Sequence, residues 1–363
     1  MSTNVSRAKI NTGRARFLAA CRREAVDATP VWFMRQAGSA LPGHRKMREK
    51  YSVLELAKTP ELAAELAAMP VRDLGVDAAV LYADIMLPLE RMGIEVELLN
   101  TGPAIANPVR TLADVERLRA IEPARDVPFV LESIRLVKEE LGGRAGIIGF
   151  SGGLFTLAGY MIEGGPSREF GRAKSLMYRE PDTWRLLMDK LAEVVIVYLR
   201  AQVAAGVDVV QLFDSWVGAL NPADYRRYVG PHTRRVFDAV AEMGVPSIHF
   251  GTGAASLLED MAAAGGDLIS VDARVLLDEA WARIGPDKGI QGNLDSTRLL
   301  AGWEATEEGA RDVLRRAAGR PGHVFNLGHA ILPDTDPDML ARLVEYVHES
   351  TGSAGFQPAN ERS

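Results

Sequence analysis

Pro181-Asp-Thr-Trp-Arg-Leu-Leu-Met-Asp-Lys-Leu-Ala-Glu-Val-Val-Ile-Val-Tyr-Leu-Arg-Ala-Gln-Val-Ala-Ala-Gly206, with Asp208-Val-Val-Gln-Leu-Phe-Asp214 just behind it, reads as one long helix feeding one short strand. Proline opens the helix and glycine closes it, the asymmetry expected of helix boundaries. The strand is apolar almost without interruption, as a parallel strand buried on both faces must be, and polar residues follow it directly. The same unit recurs in both directions. Short apolar runs predict strands at Val31–Gln36, Ala78–Ile85, Ala145–Gly149, Asp208–Asp214, Ser247–Phe250, Leu268–Val271, Gly289–Gly292 and His323–Asn326. Helical stretches fill the gaps, among them Thr59–Leu74, where Pro60 suits the first helical position. Eight strands alternating with helices predict a single-domain (β/α)8 TIM barrel, and 363 residues suit one such barrel. A doubly wound open sheet is the alternative on pattern alone, and the lack of GxGxxG after any strand counts against it. The barrel is expected over residues 13–349, with flexible, aperiodic ends at 1–12 and 350–363.

A formal net charge of −6 argues against a nucleic-acid binder, which needs a strong basic stripe. It also argues against long-range capture of an anionic substrate, so any anion site must be a local cluster of arginines and backbone N–H groups. The single cysteine, Cys21, excludes intrachain disulfides and multi-cysteine metal sites. The first residues carry no secretory apolar region, and no run of about twenty apolar residues occurs. The expectation is a soluble cytoplasmic protein with no membrane partner.

In a barrel the carboxyl ends of the strands face the active site. Read in order they deliver Arg35-Gln36, Asp84, Ser151-Gly152-Gly153, Asp214-Ser215, His249 with Gly251, Asp272, Asn293 with Asp295, and Asn326 with His329. Each alone has a structural reading: Asp214 or Asp272 as a helix N-cap, Asn293 as a turn, His249 as a core histidine. Together they suggest a functional rim. No lysine stands at a strand end, which argues against Schiff-base chemistry. No GxSxG or HExxH motif occurs, and His329 with Asp336 is too sparse to hold a metal, so none is expected.

Several strings then carry a resemblance. Pro30-Val-Trp-Phe-Met-Arg-Gln-Ala-Gly38, Gly149-Phe-Ser-Gly152 with Phe155-Thr-Leu157, and Tyr160-Met-Ile-Glu-Gly-Gly165 resemble the signatures of the uroporphyrinogen decarboxylase family. Gln211-Leu-Phe-Asp-Ser-Trp216, Gln291-Gly-Asn-Leu-Asp295 and Asn326-Leu-Gly-His329 are similar to it in the same order. The resemblance spans roughly residues 14–349 and implies a homodimeric barrel that decarboxylates the four acetates of uroporphyrinogen III without a cofactor. Matching positions imply Arg35, Gln36, Ala37, Gly38, Ser39, Asp84, Tyr160, Ser215 and His329 as the substrate shell. The chemistry gives those types a purpose. Protonating the pyrrole carbon makes a cation that accepts the electrons left when CO2 departs. Asp84 would stabilise that cation, and Arg35 would grip the reacting carboxylate in two-pronged fashion.

The chain departs from the family pattern in places. Ser39-Ala40 stands where Arg-Tyr is usual, Gly43-His44 where Glu-Tyr is usual, and Ala273 where a Trp is usual. Two other readings therefore stay open. One is a corrinoid-linked methyltransferase on the same barrel, which would need a zinc-bound His and Cys cluster. The other is a non-catalytic tetrapyrrole-binding paralogue, suggested by Ser39.

Overall fold

The computed structural model describes residues 12–99 and 102–352, so most of both expected flexible ends lies outside the described residues. Nine strands follow in chain order: β1 Ala78–Val80, β2 Val96–Leu99, β3 Gly102–Ile105, β4 Gly146–Gly152, β5 Val209–Asp214, β6 Ser247–Gly251, β7 Leu268–Ser270, β8 Gly289–Gln291 and β9 His323–Val324. Seven of them form one parallel sheet in the order β1-β4-β5-β6-β7-β8-β9. Helices such as Pro60–Leu74, Pro128–Leu141, Pro181–Ala205 and Pro337–Thr351 connect and cover the strands. The antiparallel pair β2–β3 is an excursion between β1 and β4 that the helical pattern of the sequence did not announce.

The sheet curls until its edges meet. The expected first strand, Val31–Gln36, is instead one extended stave of about three residues. On one side Phe325 N–H donates to Pro30 O at 2.9 Å and Trp32 N–H to Phe325 O at 3.3 Å. On the other, Asp77 N–H, just ahead of β1, donates to Val31 O at 2.8 Å. Beyond Trp32 side chains take over the backbone donors that a ladder would use. Phe33 N–H donates to Gln36 Oε1 at 3.0 Å, and Met34 N–H to Asn326 Oδ1 at 3.1 Å. Arg35 then turns the chain with a left-handed φ of 57°. The strand is cut short because its donors are spent on Gln36 and Asn326.

Inside the barrel the strand residues interlock. Trp32 Nε1–H donates to Gln291 Oε1 at 2.9 Å, and the Gln291 amide donates to Ser270 Oγ at 2.9 Å and to Gln211 Oε1 at 3.2 Å. Gln211 and Gln291 lie on strands that do not adjoin, so both must point inward. Above this polar layer, Phe150, Phe213 and Phe250 stack edge-on across β4, β5 and β6, with centroids 5.3 and 5.7 Å apart. They make an apolar floor at the carboxyl ends of the strands.

At the opposite end Asp77 is buried and fully engaged. Its Oδ1 accepts from Arg16 at 2.7 Å, and its Oδ2 accepts from Val31 N–H and from His348 Nε2 at 2.7 Å each. Arg16 also grips both oxygens of Asp27. First helix, closing stave, β1 and last helix are thus tied at one carboxylate. The last helix runs to Thr351, two residues past the barrel boundary expected from sequence.

Candidate active site

Asp84 leaves β1 four residues beyond Val80, half-buried, with Oδ1 accepting Met86 N–H at 2.8 Å. Burial pushes its carboxyl above the ordinary carboxylate range, while the Met86 N–H and the Arg35 charge pull it back down. Arg35 is exposed and carries no side-chain hydrogen bond or ion pair among the described residues, so its whole guanidinium fork is free. The same Arg35 charge acts on Tyr160, whose hydroxyl burial pushes up. It acts also on His329, whose ring is held below its ordinary value by burial first and by Arg35 second. The Arg35 charge thus acts on Asp84, Tyr160 and His329 alike. His329 leans toward Phe250 on the floor, 6.5 Å between centroids. Ser215 follows β5 directly, and its carbonyl accepts from the Thr252 hydroxyl.

The other shell residues divide. The Gln36 side chain is fully buried, accepting from Phe33 N–H and donating to Ala78 O at 2.8 Å. That corrects its expected place among side chains that touch substrate: it is a clamp in the barrel wall. Ala37 is buried too, and at Gly38 a Cβ would stand 2.6 Å from the Arg35 carbonyl, so the turn needs glycine there. Ser39 is exposed. Arg45, one candidate to replace the arginine missing at 39, is occupied: its Nη1 donates to the carbonyls of Ser39 and Ala40, at 2.9 Å each.

Most of the remaining rim takes the structural reading. Asp214 turns away from the cleft to Thr156. Asp272 accepts from Gly253 N–H at 2.6 Å and Arg274 N–H at 2.9 Å, and Asn293 donates to Asp272 O and Val275 O. Asp295 caps the turn at Thr297. His249 is fully buried beside the Met261 carbonyl, and burial takes its ring down to about 4, so it is neutral at physiological pH.

Tyr82, two residues before Asp84, was not singled out by sequence. Its hydroxyl lies 3.3 Å from His44 Nε2, and the charges of Arg48 and Asp84 both reach it. His44, one of the departures from the family pattern, thereby packs against Tyr82, with ring centroids 5.8 Å apart. Burial first, then Arg48 and Arg45, hold its ring below the ordinary value.

The family model described as uroporphyrinogen decarboxylase matches residues 12–350. The chain belongs to the uroporphyrinogen decarboxylase family. Among its relatives in that family, the uroporphyrinogen decarboxylase of Carboxydothermus hydrogenoformans is 53% identical over 334 residues, 92% of this chain and 95% of the relative. That of Streptomyces coelicolor is 54% identical over 336 residues, 92% and 94% of the two chains. A methyltransferase from Methanosarcina mazei superposes with a TM-score of 0.77 over 93% of this chain and 98% of its own, but at 23% identity it speaks for the fold alone. Cys21 cannot serve the thiol chemistry of the methyltransferase alternative at this mouth. It is buried in the first helix and senses Asp267, at the amino end of β7. Among the described residues no helix is long and apolar enough to cross a membrane.

Proposed function

We propose that this member of the uroporphyrinogen decarboxylase family removes CO2 from the acetate side chains of uroporphyrinogen III, giving coproporphyrinogen III without a cofactor. One observation supports the proposal beside the family match: Arg35 carries no ion pair among the described residues, and its charge acts on the half-buried carboxylate of Asp84. That is the minimal kit for this reaction. The free fork of Arg35 takes the departing carboxylate by two parallel hydrogen bonds. Asp84 faces the pyrrole N–H groups and offsets the positive charge made when the ring carbon is protonated. A unit pair about 4 Å apart at an effective dielectric near 20 interacts by about 4 kcal/mol, roughly a thousandfold in rate. Tyr160, Ser215 and His329 offer neutral hydrogen-bonding groups to the other carboxylates.

The barrel domain as read from sequence, a cytoplasmic location and a homodimer are part of the same proposal, supported by the family match. Anaerobic incubation with uroporphyrinogen III, followed by separation of products by carboxyl number, tests the activity. Products with seven down to four carboxyls are expected. Unchanged substrate that nevertheless binds would instead identify a non-catalytic tetrapyrrole carrier.

A further inference from the structure

Asp214 belongs to β5 and sits beside Ser215, yet its carboxylate points outward from the barrel. Its Oδ1 accepts both the N–H and the hydroxyl of Thr156, at 3.0 and 2.7 Å. Thr156 is the third residue of the helix Leu154–Glu163, whose own N-cap position is Gly153 and has no side chain to offer. Asp214 therefore caps, from another strand, the helix that carries Tyr160, and a negative charge suits a helix N-terminus. The contact is close by design. A Cβ on Gly153 would stand 2.3 Å from the Asp214 Cβ. The Thr156 hydroxyl also accepts the backbone N–H of Trp216 at 3.1 Å, and the Trp216 ring meets the Tyr160 ring edge-on at 6.3 Å. Tyr160 lies one helical turn beyond Thr156, on the same helix face. A closed circuit thus runs from the exit of β5 through Asp214, Thr156 and Trp216 to Tyr160. No cation pairs with Asp214 among the described residues, so the charge is directed at the helix alone.

We propose that Asp214 and Thr156 are a positioning pair that fixes the Tyr160 hydroxyl relative to Ser215 for the decarboxylation. The inference rests on Tyr160 serving the substrate, as proposed above. Misplacing a substrate-binding group by a fraction of an ångström costs about tenfold or more in rate.

The test is a double-mutant cycle on uroporphyrinogen turnover. Thr156→Val and Asp214→Asn should each lower kcat/KM by about tenfold, and Thr156→Ser, which keeps the hydroxyl, should restore most of it. When Tyr160 is already Phe, adding Thr156→Val should cost less than about twofold more. Equal losses in both backgrounds would overturn the positioning pair and leave Thr156 a purely structural residue. A silent Tyr160→Phe would overturn the role of Tyr160 itself, and with it this inference. Thermal melting of every variant separates these outcomes from loss of fold, and Thr156→Ser keeps the comparison available if Asp214→Asn fails to fold.

Discussion

As a carboxylate Asp84 is disfavoured by the fold and required by the proposed chemistry. Its carboxyl is raised, chiefly by burial, so its contribution to stability is fully present below the unfolded value and is lost as pH rises through the folded one. Activity runs the other way, because only the carboxylate offsets a cation. Asp84→Asn should therefore lower turnover by at least about a hundredfold with the far-ultraviolet circular dichroism unchanged. Denaturation midpoints taken from acid to neutral pH should fall more steeply for the native protein than for the variant. Near-normal turnover in Asp84→Asn would mean that another group faces the pyrroles. Ser39 poses the opposite question, since Arg45 is committed to backbone carbonyls and leaves the missing charge uncompensated by that residue. A charged hydrogen bond to carboxylate contributes about 1.5–3 kcal/mol, so Ser39→Arg should tighten uroporphyrinogen binding roughly tenfold or more and shorten the list of released intermediates. Weaker binding by Ser39→Arg would show a cleft adapted to the serine.

The elements divide by what a linear pattern can carry. Helix Pro181–Ala205 and strands β4 to β8 were legible within a few residues, because proline, glycine and continuous apolar runs are local signals. The stave at Val31 was read too long, since what ends it is Asn326, far away in sequence. Gln36 looked like a substrate ligand for the same reason: its partner Ala78 belongs to another strand. Arg35, Asp84 and His329 stand out in the sequence because strand ends share one barrel mouth, and Tyr160 through the family resemblance, whereas the contact of Tyr82 with His44 is tertiary and leaves no linear signal. Glycines give a direct check at this scale. Gly75 closes the helix Pro60–Leu74 with φ of 73° and open space around it, so Gly75→Ala should cost only about 1 kcal/mol of unfolding free energy. Gly153→Ala, driven into the Asp214 side chain, should cost several times more, about 3 kcal/mol or above, in the same urea titration. Similar costs at both sites would mean that the turn at Gly153 relaxes freely.

At the scale of the molecule, the two ends of the described chain are joined through Asp77, which is 2% exposed and bound by Arg16, Val31 and His348. Asp77→Ala leaves the buried Val31 N–H, the His348 ring and one arm of Arg16 without their acceptor, although Arg16 keeps Asp27. Breaking such a buried pair typically costs about 3–5 kcal/mol, and chemical denaturation should show a loss of that size. Arg35 and Asp84 lie at the far end of the barrel, so the variant should retain its kcat at temperatures where it stays folded. A drop in kcat at such temperatures would show that the closure communicates with the cleft.

The closing stave also sets a timetable. Residues 30–34 are made early, but their partners around Asn326 come 292 residues later, as the bond from Met34 to Asn326 shows. At about 5–20 residues per second, the stave waits roughly 15–60 s on the ribosome for that second side, whereas Asp77 and β1, which cover its first, are made soon after it. During that interval β1 and β4 to β8 can pair in order of synthesis, while the side of the stave that β9 will cover stays open. Arg35 follows the stave directly, so its surroundings are complete only when the last strand arrives. The barrel thus closes only once β9 has been made, and His329 just behind that strand is equally late to arrive.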